Sequence, residues 1–154
     1  MGFSANLTLI VRVRREVPQH VLSMRIYKTR EDHARRKIRR LMNGKTRATI
    51  EDVIKYARAL DVDASDLAFG TDGVFNPYVD VEDRFCANMR LFQKKYPTHI
   101  LARKLYPNKR VVDVNDGRKL LRLAQGYTRP RMDDIINLAN GLGISPGKLA
   151  FGVL

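Results

Sequence analysis

Residues 40–70, RLMNGKTRATIEDVIKYARALDVDASDLAFG, and residues 122–152, RLAQGYTRPRMDDIINLANGLGISPGKLAFG, are two versions of one segment. At a constant offset of 82 they are identical at 13 of 31 positions, and most other pairs keep apolar or polar character. Upstream, residues 18–27 (PQHVLSMRIY) align with residues 97–106 (PTHILARKLY) at an offset of 79, so the second copy carries three extra residues between the blocks. A period this long is that of a duplicated domain; solenoid repeats are shorter. Residues 70–80, GTDGVFNPYVD, separate the copies with Gly, Pro, Asn and Asp punctuation. The expected organisation is a first domain over 1–70, a linker over 71–79 and a second domain over 80–154.

Within each copy the apolar spacing is helical. Ser4 is placed to cap a helix over residues 5–16. Leu-Thr-Leu-Ile-Val-Arg-Val taken alone also reads as a strand, but its counterpart, 81–96, decides for helix, with Phe85, Met89 and Phe92 at helical spacing after Asp80 as cap. A second helix runs from Pro18 to Tyr27 with Val21, Leu22 and Ile26 inward, and Pro97 opens its counterpart. The third begins after Thr29, at capping-box spacing from Asp32, and ends at Gly44; in the second copy Asn115 or Asp116 is the cap and Gly126 the terminator. The fourth starts at Thr49 or Arg131 and carries Ile50, Val53, Ile54, Ala57 and Leu60, or Met132, Ile135, Ile136, Ala139 and Leu142. A short helix ending in Leu-Ala-Phe-Gly closes each copy. The fold class expected is all-α, with five helices per copy.

Charge narrows the partner. The 154 residues include 29 Lys and Arg against 16 Asp and Glu, a formal charge of +13, which at this size points to a polyanion. A membrane surface is disfavoured, since Trp is absent and the apolar residues follow core periodicity. The opening MGFSANLTLIVRVRREV is broken by Arg12 and lacks a secretory cleavage site, and Asn6 stands where a myristoylation signal needs Ser or Thr. Cys86 is the lone cysteine, which excludes an internal disulfide and a cysteine-based zinc site and fits a reducing cytoplasm. His20, His33 and His99 fall in no metal-ligand spacing, and no nucleophile motif or phosphate loop is present. The expectation is a non-enzyme without cofactor, metal or small-molecule ligand.

Asn43-Gly44-Lys45-Thr46-Arg47 followed by Ala57-Arg-Ala-Leu-Asp-Val62, and Gln125-Gly126-Tyr127-Thr128-Arg129 followed by Leu138-Ala-Asn-Gly-Leu-Gly-Ile144, resemble the G-K-x-x-P and L-A-x-A-L-G-V pattern of the Cro/repressor-type (XRE family) helix-turn-helix domain. The closing Leu-Ala-Phe-Gly is similar to that family's hydrophobic end. The resemblance covers nearly the whole chain, once per copy, and implies two tandem lambda-repressor-like domains. It departs from the family in the connection between helices 2 and 3, which at Tyr27 to Ala34 and at Tyr106 to Asp116 is several residues longer than a tight turn.

Helical phase divides the third helix into a buried stripe, Ala34, Ile38 and Leu41, and an outward face of Arg36, Arg39, Arg40 and Asn43, flanked by Arg35 and Lys37. The second copy places Arg118, Leu121, Arg122 and Gln125 outward, flanked by Lys119, with Leu120 and Leu123 inside. Arginine can read guanine O6 and N7, and asparagine can read adenine, so these faces are candidates for base contact. Such arginines can equally be a solvated helix surface. The resemblance implies base contacts at Arg35, Arg36 and Arg40, and at Gly117, Arg118 and Arg122. Lys37, Lys45, Thr46 and Arg47, with Lys119, Tyr127, Thr128, Arg129 and Arg131, are candidates for phosphates, as are Gln19 and Thr98 at the starts of the second helices.

The expected function is that of a sequence-specific double-stranded DNA-binding regulator of phage or mobile-element type, a repressor by resemblance, cytoplasmic and nucleoid-associated. Homodimerisation stays open. The rival reading is a protein-interaction module of the same fold, antitoxin or coactivator-like, and RNA binding ranks third for want of exposed aromatic platforms.

Overall fold

The computed structural model describes residues 2–14, 17–29 and 31–154, and among the described residues every regular element is a helix. The chain divides into two compact units, Met1–Val81 and Glu82–Leu154.

In the first unit α1 (Phe3–Thr8) continues as a π-helical stretch, Leu9–Arg14, and is followed by α2 (Gln19–Tyr27), α3 (Asp32–Met42), α4 (Ile50–Leu60) and α5 (Ala64–Phe69). Leu7, Leu22, Ile38, Leu41, Val53, Tyr56 and Leu67 close the core without measurable exposure. In the second unit α6 (Phe85–Lys95), α7 (Thr98–Leu105), α8 (Val114–Ala124), α9 (Met132–Leu142) and α10 (Pro146–Phe151) repeat the order, around Phe85, Met89, Leu101, Leu120, Ile135, Leu138 and Leu149. In each unit the second helix packs on the third and the fourth.

Two pairs of polar fastenings repeat across the units. The Asn6 amide donates to the carbonyls of Asp66, Leu67 and Gly70, at 3.3, 3.1 and 3.0 Å, and the Asn88 amide donates to those of Lys148, Leu149 and Gly152, at 3.3, 2.9 and 2.9 Å. Both asparagines are buried, and each donates to carbonyls at the end of the last helix of its unit, one of which, Asp66 or Lys148, also accepts from the Gly70 or Gly152 amide. Arg25 donates to the Ala59 carbonyl, and Lys104 donates to the Gly141 carbonyl, tying the second helix to the end of the fourth.

Several starts differ from the sequence expectation. The first helix begins at Phe3 behind Gly2, ahead of the expected Ser4 cap, and Arg15 and Glu16 of the expected helix lie outside the described residues. Its counterpart begins at Phe85, not Val81. Asp80 caps nothing there and instead accepts from Arg58 and Tyr78 in the first unit, while Asp83 accepts from the Phe85 amide. The α3 cap is Glu31, and Thr29 Oγ1 accepts from the Glu31 amide in place of the expected capping box with Asp32. In the second unit neither Asn115 nor Asp116 is the cap: Asp113 accepts from the Asp116 amide and Asp116 accepts from the Asp113 amide, a complete capping box that opens ahead of both. The stretch expected as a linker belongs to the first unit, where the Asn76 amide donates to Asp66, the Asn76 carbonyl accepts from Asp63, and Tyr78 accepts from Arg58.

Candidate nucleic-acid interface

Helix α3 forms because Ala34, Ile38, Leu41 and Met42 give it one apolar stripe, with Asp32 in the first turn and Arg39 and Arg40 in the last, where each sign suits the helix dipole. Helix α8 buries Asp116, Leu120, Leu123 and Ala124 in the same way behind its capping box. Both end identically. The Lys45 amide donates to Arg40 and the Gly44 amide to Leu41, as the Tyr127 amide donates to Arg122 and the Gly126 amide to Leu123. This is the Schellman arrangement, and it requires the left-handed backbone that Gly44 (φ +68°) and Gly126 (φ +81°) adopt. The close of each third helix thereby fixes where the next residues emerge.

On α3 the side chains of Arg36, Arg39, Arg40 and Asn43 are exposed together, opposite the buried stripe. On α8 the same holds for Arg118, Arg122 and Gln125, whereas Leu121 is half-buried. No ion pair among the described residues involves Arg36, Arg39, Arg40, Arg118 or Arg122. Arg35 is different: its guanidinium pairs with Asp32 one turn back. Lys37 lies over the Tyr27 ring, 5.2 Å from its centroid, and 3.8 Å from Asp52, and Lys119 lies over the Tyr106 ring at 5.8 Å. These two lysines are held at the flank of the outward face by the tyrosine that ends α2 or follows α7.

Lys45 and Arg47 are exposed and Thr46 half-exposed on the α3–α4 connection; Tyr127, Thr128, Arg129 and Arg131 are exposed on the α8–α9 connection, Tyr127 to 78%. In the second unit Lys119, Arg122, Thr128, Arg129 and Arg131 meet with Tyr106 and Asp134 around a notch of about 340 Å³. Four cations and one carboxylate line one concavity there, the composition of an anion site. Gln19 and Thr98 open α2 and α7, and Thr98 lies beside Gly117, Arg118 and Leu121.

The connection before α8 contains a contact that sequence reasoning missed. Lys109 Nζ donates to Asp116 Oδ1 at 2.6 Å, with Asp116 1% exposed. The hydrogen bond from Lys109, followed by that from the Asp113 amide, holds the Asp116 carboxyl below the ordinary carboxylate range, and the Asp116 hydrogen bond raises the Lys109 ammonium correspondingly. The signal for this clasp was the three-residue insertion at the same place. Beside it Val111 and Val114 stand exposed, at 74% and 73%.

Among the described residues no group of His, Cys, Asp or Glu side chains could hold a metal ion, and no helix is long and apolar enough to cross a membrane. No family model, no curated protein and no solved structure matches the chain.

Proposed function

We propose that the chain is a sequence-specific double-stranded DNA-binding regulator, with two tandem lambda-repressor-like helix-turn-helix units that present α3 and α8 to the major groove. The observation that carries this reading is the duplicated outward face: Arg36 and Arg40 on α3 recur as Arg118 and Arg122 on α8, each pair exposed, outside any ion pair among the described residues, and backed by a buried stripe. Exposed guanidinium groups in such a row can bond guanine O6 and N7 or backbone phosphate. Lys45 and Arg47, and Lys119, Arg129 and Arg131 around the notch that Arg122 edges, suit flanking phosphates, which position the protein without reading sequence. A regulator of this kind acts by occupying its operator, and repression is the simplest outcome of such occupancy.

The two faces are unequal. Arg35 and Arg39 of the first unit stand where the second has Gly117 and Leu121, so one chain would read an asymmetric site, its first unit over the more G-rich half. Selection of bound duplexes from a random pool tests the proposal. An enriched, asymmetric motif supports it. Absence of enrichment, together with specific capture of a protein by the same faces, favours the protein-interaction module.

A further inference from the structure

The corresponding concavity at the start of the third helix has changed chemistry between the units. In the first it is lined by Asp32, Arg35, Arg36 and Arg39. The positions 82 residues later, Val114, Gly117, Arg118 and Leu121, line the hollow of the second unit, joined by Thr98, His99, Val112 and Asp113. One cation is retained, Arg118 for Arg36, and the other three lining residues have become apolar or lost their side chain. The hollow measures about 510 Å³ and lies open to solvent. Arg118 is the cation that lines it, as Arg36 lines its counterpart.

We propose that this hollow takes the 5-methyl groups of thymines in the major groove, with Gly117 as the specificity-determining residue that keeps it open. The inference rests on the DNA reading above and names what the second unit reads. Arg118 at its edge suits a polyanion, and Val112, Val114 and Leu121 make one side of its lining apolar, which of the groups a base pair displays in the major groove matches the thymine methyl. Asp113, the carboxylate among the lining residues, is occupied in capping α8. Gly117 is otherwise unaccounted for. It lies inside α8, away from any left-handed turn, where glycine is less stable than alanine. A Cβ there would meet Thr98 Cγ2 at 3.5 Å, an ordinary contact. Packing therefore does not demand glycine, and a Cβ there would stand in the hollow that Gly117 lines.

The test compares duplexes selected by the whole chain with the same duplexes carrying deoxyuridine for thymidine, which removes the methyl and keeps the pairing. Affinity for the deoxyuridine duplex should fall about fourfold for each methyl seated. In Gly117→Ala the thymidine-to-deoxyuridine ratio should collapse toward one while the melting temperature holds or rises, and Leu121→Ala should lower the ratio as well. If the chain selects no duplex at all, the DNA reading itself fails. If it selects duplexes tightly but with a ratio near one, that reading stands and the hollow is overturned as a methyl site, leaving it to an apolar side chain of a protein partner. A ratio that survives in both variants also overturns the assignment, by placing the methyl contact elsewhere.

Discussion

Asn88 occupies in the second unit the place that Asn6 occupies in the first: each buried amide reaches three carbonyls around the last helix of its own unit, at an offset of 82 for every partner. The Asp66 and Lys148 carbonyls also accept from the Gly70 and Gly152 amides, and the asparagine adds a donor to each helix end, binding the first helix to the last. Asn6→Ala and Asn88→Ala should each cost about 1–3 kcal/mol, the penalty of leaving buried polar groups unpaired. Urea unfolding followed by circular dichroism measures it; a loss within error of zero for both would show that the fastening is incidental.

This pair also shows where the sequence was legible. Asn6 and Asn88 lie in Phe-Ser-Ala-Asn and Phe-Cys-Ala-Asn, a match at the same offset of 82 as the main repeat, but an asparagine in an apolar helix carries no periodic signal and its partners are 60 or more residues away. Buried stripes such as Ala34, Ile38 and Leu41, and the Gly44 and Gly126 helix ends, were readable because periodicity and turn chemistry are local. Helix starts were less so. Ser4, Thr29 and Asp116 all have capping chemistry, yet the caps are Gly2, Glu31 and Asp113, with Asp116 serving inside the capping box that Asp113 opens. The outward arginines were legible as a face, while the tyrosine seats of Lys37 and Lys119 and the Lys109 clasp depend on contacts that spacing does not encode.

The Gly70–Asp80 segment has punctuation typical of a linker, yet Asn76 and Tyr78 bond to α5 and α4. A fragment ending at residue 81 should therefore melt higher than one ending at residue 70. Equal melting temperatures would return the segment to the role of a passive tether.

The Lys109–Asp116 pair sets a pH window. A carboxyl held low when folded stabilises above its unfolded value, about 3.9, and loses that contribution as pH falls through the folded value; an ammonium held high stabilises below its unfolded value, about 10.4, and loses it as pH rises through the folded value. The stability difference between the native chain and Lys109→Met should be constant from about pH 5 to about pH 9 and shrink below about pH 4. A difference that stays flat to pH 2 would contradict the ion-pair account.

Binding to selected duplexes should weaken steeply with salt. If six or more phosphates are neutralised, affinity falls by about three decades between roughly 50 and 200 mM salt. Titrations by fluorescence anisotropy give the slope, and a nearly flat response would remove the electrostatic basis of the DNA reading.

The most direct measurement takes one selected duplex and compares the native chain with a variant carrying Arg36→Ala, Arg40→Ala, Arg118→Ala and Arg122→Ala. All four side chains are exposed, and none is in an ion pair among the described residues, so helicity and melting temperature should hold. Affinity should fall by about 100-fold or more, since each bidentate contact is worth about 1–3 kcal/mol, with the Arg36 and Arg40 changes alone erasing preference only in the G-rich half. A folded variant that binds the duplex as tightly as the native chain would contradict the assignment of α3 and α8 as the reading helices.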